Sequence, residues 1–156
     1  MALDSAQLLT MHSDELDDLF SKSESGPIPN GPAEGTAIIA PGTKYSAEIA
    51  KIVSIFAWQG KTFDGVHGTL TNRISVFGFN AIVAEVYKTE SWFDKKECIV
   101  LDYSKTSTLA HYVRDEIRQV APGLYLGLVY WKEKRLIHFA LEFPPETAPS
   151  SPPSGP

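Results

Sequence analysis

The chain has 156 residues, 43% of them hydrophobic and 21% charged, with a formal net charge of -5. That length holds one ordinary core, and the composition excludes disorder of the whole chain. The acidic balance argues against a nucleic-acid partner, because binding a phosphate backbone needs a basic stripe.

The basic residues are scattered, and Lys95, Lys96, Lys132, Lys134 and Arg135 sit where hairpin tips are expected. Cys98 stands alone, so no internal disulfide is implied. The start, MALDSAQLLTMHSDELDD, has neither the basic region nor the apolar run of a secretory leader. No segment reaches the roughly 18 to 20 apolar residues of a membrane span. A cytoplasmic protein with no membrane partner is the expectation, and nothing in the sequence sets an oligomeric state.

Asp4 to about Phe20 reads as an amphipathic helix, with Leu8, Leu9, Leu16, Leu19 and Phe20 opposite Asp14, Glu15, Asp17 and Asp18. Ser23 to Gly35 is rich in glycine and proline and reads as a loop, either a functional lid or a plain connector. Ile49, Ile52, Val53 and Phe56 follow helical spacing with Ser46 as the N-cap, so a second helix is predicted from Tyr45 or Ser46 to Ala57. Strand periodicity begins after Gly68. Strands are predicted over Thr71 to Phe77, Asn80 to Tyr87, Glu97 to Tyr103, Leu124 to Trp131 and Leu136 to Phe143. Between the third and fourth, Ser107 to Val120 reads as an inserted helix ended by Pro122-Gly123. The sum is an α+β, mainly β domain over residues 1–143, an antiparallel meander with two N-terminal helices and one inserted helix. Residues 144–156, ending in PPETAPSSPPSGP, are expected to be a disordered proline-rich tail.

Chemistry is sparse. Read as a helix, Ser107 to Val120 buries Leu109, Tyr112, Val113, Ile117 and Val120, with Glu116 falling inside that stripe. A carboxylate there needs a partner or carries a raised pKa. His111, Arg114, Asp115 and Arg118 then lie at i, i+3, i+4, i+7. They form either an exposed ion-pair ladder or an anchor facing a cavity. Trp58-Gln59-Gly60-Lys61-Thr62-Phe63 is either a lid over a pocket mouth or a helix C-cap beside a core tryptophan. The four histidines lack metal-ligand spacing, and neither a nucleophile elbow nor a P-loop is present, so no metal and no cofactor is expected. Cys98 reads as a small buried hydrophobe.

The segment from Trp58 to Phe63 resembles the Trp-Tyr-Gly-Lys-Arg-Phe stretch of a bacterial and fungal family named for a Gly-x-Trp-x-Gly motif. Asp115-Glu116-Ile117-Arg118-Gln119-Val120, followed by Gly127, is similar to that family's Asp-x-Phe-Arg-x-Val and its following glycine. The likeness runs in outline from Leu16 to Phe143. It departs at Phe56, where the first glycine of the motif would stand, and at Ile117, which replaces an aromatic residue. The resemblance implies a lipocalin-like barrel and no particular reaction.

The expected function is therefore binding of a small, mostly apolar metabolite in a barrel pocket, as a carrier or accessory factor. The candidate ligand-binding residues are Trp58, Lys61, Tyr103, Arg118 and Tyr125. A cyclase or isomerase acting through Asp115, Glu116 or His111 is the alternative. A protein-interaction module is a further one.

Overall fold

The computed structural model describes residues 3–39, 44, 46–56, 61–73, 81–105 and 109–144. Trp58 and the proline-rich tail beyond Pro144 lie outside them.

Eight strands close into an antiparallel up-and-down barrel: β1 (Gly31–Ile38), β2 (Lys61–Asp64), β3 (Thr69–Arg73), β4 (Ala81–Glu90), β5 (Glu97–Asp102), β6 (Val113–Ala121), β7 (Leu124–Trp131) and β8 (Lys134–Glu142). Each strand pairs with its successor, and β1 returns to β8 from Glu34↔Glu142 to Ile38↔His138. Closure gives every strand a neighbour on each side, so no strand is left as the free edge of an open sheet. The three helices are α1 (Ser5–Leu8), α2 (Ser13–Lys22) and α3 (Ala47–Phe56).

The expected mainly-β meander and barrel are present, with three corrections in its parts. The front helix is two helices. Asp4 caps α1 by accepting from the Gln7 backbone N–H at 2.9 Å. α2 restarts where Glu15 reaches back to the His12 N–H at 2.9 Å. The supposed loop over Ser23 to Gly35 ends in β1, where Gly31 to Ala33 pair with β2 and Glu34 to Ile38 pair with β8. The inserted helix over Ser107 to Val120 is instead a short 3-10 turn, Leu109–Tyr112, followed by β6. The inserted helix of this fold is α3, between β1 and β2.

Alternation along the strands sorts side chains between two cores. One cluster draws on all eight strands, including Ala33, Phe63, Leu70, Val86, Ile99, Ile117, Val129 and Phe139, and lines the barrel interior. Ile49 and Val53 of α3 join it. The other lies on the outer wall, where Leu8, Leu16 and Phe20 of the front helices cover Cys98, Val100, Leu126, Leu128 and Ala140. β7 is buried at every position because it serves both cores. Burial pushes the Cys98 thiol up to about 12, so it behaves as the small hydrophobe expected of it.

Backbone geometry is tight at two places around β7. A Cβ at Gly127 would lie 2.1 Å from Cε1 of Phe139, its partner on β8, so the ring occupies the space the glycine leaves open. At the β7–β8 turn, Lys132 and Glu133 both hold positive φ, 50° and 71°, which suits glycine or asparagine better.

Candidate functional site

With β6 extended, its side chains alternate: Val113, Asp115 and Ile117 face the barrel interior, while Arg114, Glu116 and Arg118 face the outer wall. A helical period would group Asp115 with Arg118 and put Glu116 in the buried stripe. A period of two instead puts Glu116 with Arg118 and turns Asp115 to the other face.

On the outer wall, charges are closely partnered. Glu116, fully buried, accepts from Ser91 Oγ at 2.6 Å, from the Trp92 backbone N–H at 2.7 Å, and from Arg114 Nε and Nη2 at 3.1 and 2.9 Å. Arg118, also fully buried, forks onto Asp94 through two bonds of 2.7 Å. It further donates to the backbone carbonyls of Phe20 (2.8 Å), Glu97 (3.0 Å) and Lys96 (3.1 Å). Its guanidinium lies 4.3 Å from the centre of the Phe20 ring. Hydrogen bonding to Arg118 holds the Asp94 carboxyl below its usual range. The donors of Arg118 are thus committed to tying α2 and the 91–96 turn to the barrel. These are structural assignments for two residues nominated as catalytic and ligand-binding.

His111 sits in the 3-10 turn with its ring 3.9 Å from that of Tyr112. It lines an open depression of about 340 Å³ with Trp92, Asp102, Arg114 and Lys132. Neither Asp115 nor Lys61 lines that groove.

The interior holds a different pair. Asp115 is 1% exposed and Lys61 4% exposed, and both face the interior that the apolar and aromatic cluster lines. β2 and β6 are four strands apart in the closed order of eight, so these residues arise from opposite walls. Burial raises the Asp115 carboxyl to about 7, opposed by the charge of Lys61 and reinforced by that of Glu116. Burial lowers the Lys61 amine to about 8, opposed by Asp115. Asp115 Oδ1 is buried with no hydrogen-bond partner, a costly state for a carboxylate in a low-dielectric interior. Lys61 runs over Gly35, where an added Cβ would come within 2.8 Å of Lys61 Cε.

Tyr103 and Tyr125 share this interior cluster, each 2% exposed. The Tyr125 hydroxyl donates to the Pro27 carbonyl at 2.7 Å. Tyr125 also borders an open depression of about 600 Å³ at the β6–β7 end of the barrel, lined with Pro29, Asn30, Gln119 and Phe143 among others. Gln119 is two inward positions along β6 from Asp115, about 13 Å at strand rise.

Four of the nominated residues, Asp115, Lys61, Tyr103 and Tyr125, therefore share the barrel interior. Glu116 and Arg118 lie on its outer wall, His111 lines a separate groove, and Trp58 is outside the described residues. Sequence spacing gives no sign of Ser91 and Asp94 as partners of the buried Glu116 and Arg118, because these contacts join residues distant in sequence. Among the described residues no group of His, Cys, Asp and Glu could hold a metal ion, and no helix is long and apolar enough to cross a membrane.

No protein-family model matches this sequence, and no curated protein matches it significantly. A solved structure described as the crystal structure of a protein from Thermomonospora curvata superimposes with a TM-score of 0.59 at 16% identity. The alignment covers 91% of this chain and 99% of that one. At that identity the likeness speaks for the fold alone.

Proposed function

We propose that the barrel binds a small, mostly apolar molecule, which enters at the β6–β7 end and places a polar group between Asp115 and Lys61. The observation that carries this reading is the buried, unpartnered Oδ1 of Asp115 beside the interior cluster of apolar and aromatic side chains. A ligand hydroxyl or amine would supply the missing donor, and a ligand carbonyl or hydroxyl would accept from Lys61. The depression bordered by Tyr125 and Gln119, at about 600 Å³, falls in the range usual for small-molecule sites. The lipocalin-like barrel implied by the resemblance to the Gly-x-Trp-x-Gly family agrees with this reading, and membership in that family is part of the proposal.

A second reading is that the bound molecule is also converted, as by a cyclase or isomerase. Its support is the Asp115 carboxyl, raised to about 7 by burial, where an acid/base group works best at neutral pH.

Native mass spectrometry of the protein purified from its own host tests the binding reading. A retained small molecule that is lost in Asp115→Asn and Lys61→Met, with the far-UV spectrum unchanged, supports it. A retained molecule that stays in both variants, or failure of wild type to bind any apolar probe, removes it.

A further inference from the structure

Asp115 and Lys61 offer more than a polar anchor. Few arrangements place a primary amine and a carboxyl from opposite walls of a closed barrel within electrostatic reach of each other, amid apolar and aromatic side chains. Gly35 is what lets the lysine lie there, since a Cβ at that position would press on Lys61 Cε. Nine other lysines belong to the chain, but Lys61 is the buried one among those whose burial is described.

We propose that Lys61 captures an apolar aldehyde or ketone as a reversible imine inside the barrel, with Asp115 carrying the proton for dehydration. This rests on the binding reading and names its substrate class.

The chemistry balances without an outside oxidant or reductant. A carboxylic acid facing an uncharged amine holds the same number of protons as the carboxylate–ammonium pair, and it avoids two buried charges. In that form the Nζ lone pair attacks the carbonyl carbon. The carbonyl π pair moves to oxygen, which takes the proton that nitrogen gives up, leaving a carbinolamine. Asp115 then delivers its proton to the hydroxyl, the C–O bond breaks, and water leaves as the nitrogen lone pair forms the C=N bond. The products are an iminium on Lys61, water and the Asp115 carboxylate, whose charge the iminium balances. Hydrolysis runs the same steps backwards. Burial lowers the Lys61 amine to about 8 and raises the Asp115 carboxyl to about 7, so both reacting forms are populated near neutrality.

The test uses the full chain, decanal as the carbonyl probe and decanol as its unreactive counterpart. Decanal with sodium cyanoborohydride reduces any imine to a stable secondary amine, which peptide mass spectrometry assigns to a lysine. Enrichment at Lys61 about 10-fold above exposed lysines such as Lys22, Lys105 and Lys132 is expected, as is loss of about 100-fold in the rate at Lys61 alone in Asp115→Asn. Wild-type mapping stands even if a variant fails to fold. If decanol binds, read by tryptophan fluorescence, while decanal labels only surface lysines, the imine proposal is overturned and the binding reading survives. If neither probe binds, both fall.

Discussion

Asp115 and Glu116 are neighbours in sequence whose carboxyl groups lie on opposite sides of the barrel wall in opposite electrostatic circumstances. Glu116 accepts four hydrogen bonds from Ser91, Trp92 and Arg114, whereas Asp115 keeps an unpartnered oxygen in the interior. Replacing either carboxyl therefore has different consequences.

The interior pair should report on itself. Lys61→Met removes the charge that opposes the rise of the Asp115 carboxyl, so its pKa moves further above about 7. Asp115→Asn removes the charge that supports protonated Lys61, so that amine moves further below about 8. Carbon-13 NMR titration of the Asp carboxyl and Lys Cε resonances reads both shifts. Unchanged values in both variants would show that the two groups do not sense each other.

Stability should depend on pH through the same pair. Unfolded Asp115 ionises near 3.8 while the folded group stays protonated to about 7, so the native state holds more protons in that window. Stability from this group therefore falls as pH rises from about 4 to 7. Lys61 acts in the opposite sense: folded, it loses its proton near 8 and unfolded near 10.5, so its burial penalty is relieved as pH rises through that window. Urea midpoints of Asp115→Asn, compared with wild type, should improve steadily between pH 4 and 7. A difference independent of pH would contradict the assignment.

On the outer wall, Arg118→Met leaves Asp94 and three carbonyls without their donor, and a loss of about 3 kcal/mol is expected. Hydrogen exchange should rise in α2, which Arg118 holds through the Phe20 carbonyl. Ligand retention by the remaining folded protein should be unchanged, because Arg118 does not face the interior.

His138, on the outer face of β8, bonds Asp17 of α2 at 2.7 Å, and burial keeps its pKa below the usual 6.5 despite that bond. The unfolded chain takes up the proton first, so stability from this group declines as pH falls below 6.5. Asp17→Asn, which removes the partner favouring protonation, should lower the His138 pKa further in a proton NMR titration. A rise would overturn this account.

Two backbone substitutions test the packing. Gly127→Ala drives a methyl into the Phe139 ring and should cost about 1 to 3 kcal/mol in urea unfolding. Glu133→Gly relieves a positive φ of 71° at the β7–β8 turn and should stabilise the barrel by about 0.5 to 1 kcal/mol.

Local pattern was enough for β4, β5, β7 and β8, whose β-branched and aromatic runs between turn residues allow little else. It also placed Glu116 among apolar neighbours, but it left Asp115 on the charged face and Lys61 in a lid or helix-cap segment. It failed over Ser107 to Val120, because Val113, Ile117 and Val120 suit a helix stripe as well as a strand. The choice fell to β5 and β7, whose ladders pair with this segment along most of its length. Likewise, Gly31 to Gly35 carries loop composition and becomes a strand only because β2 and β8 flank it. Which face each β6 side chain takes follows from closure of the barrel, a long-range constraint that no window of the sequence contains. For that reason composition could nominate a buried carboxyl, but only the tertiary structure could place Asp115 opposite Lys61 and send Glu116 outward.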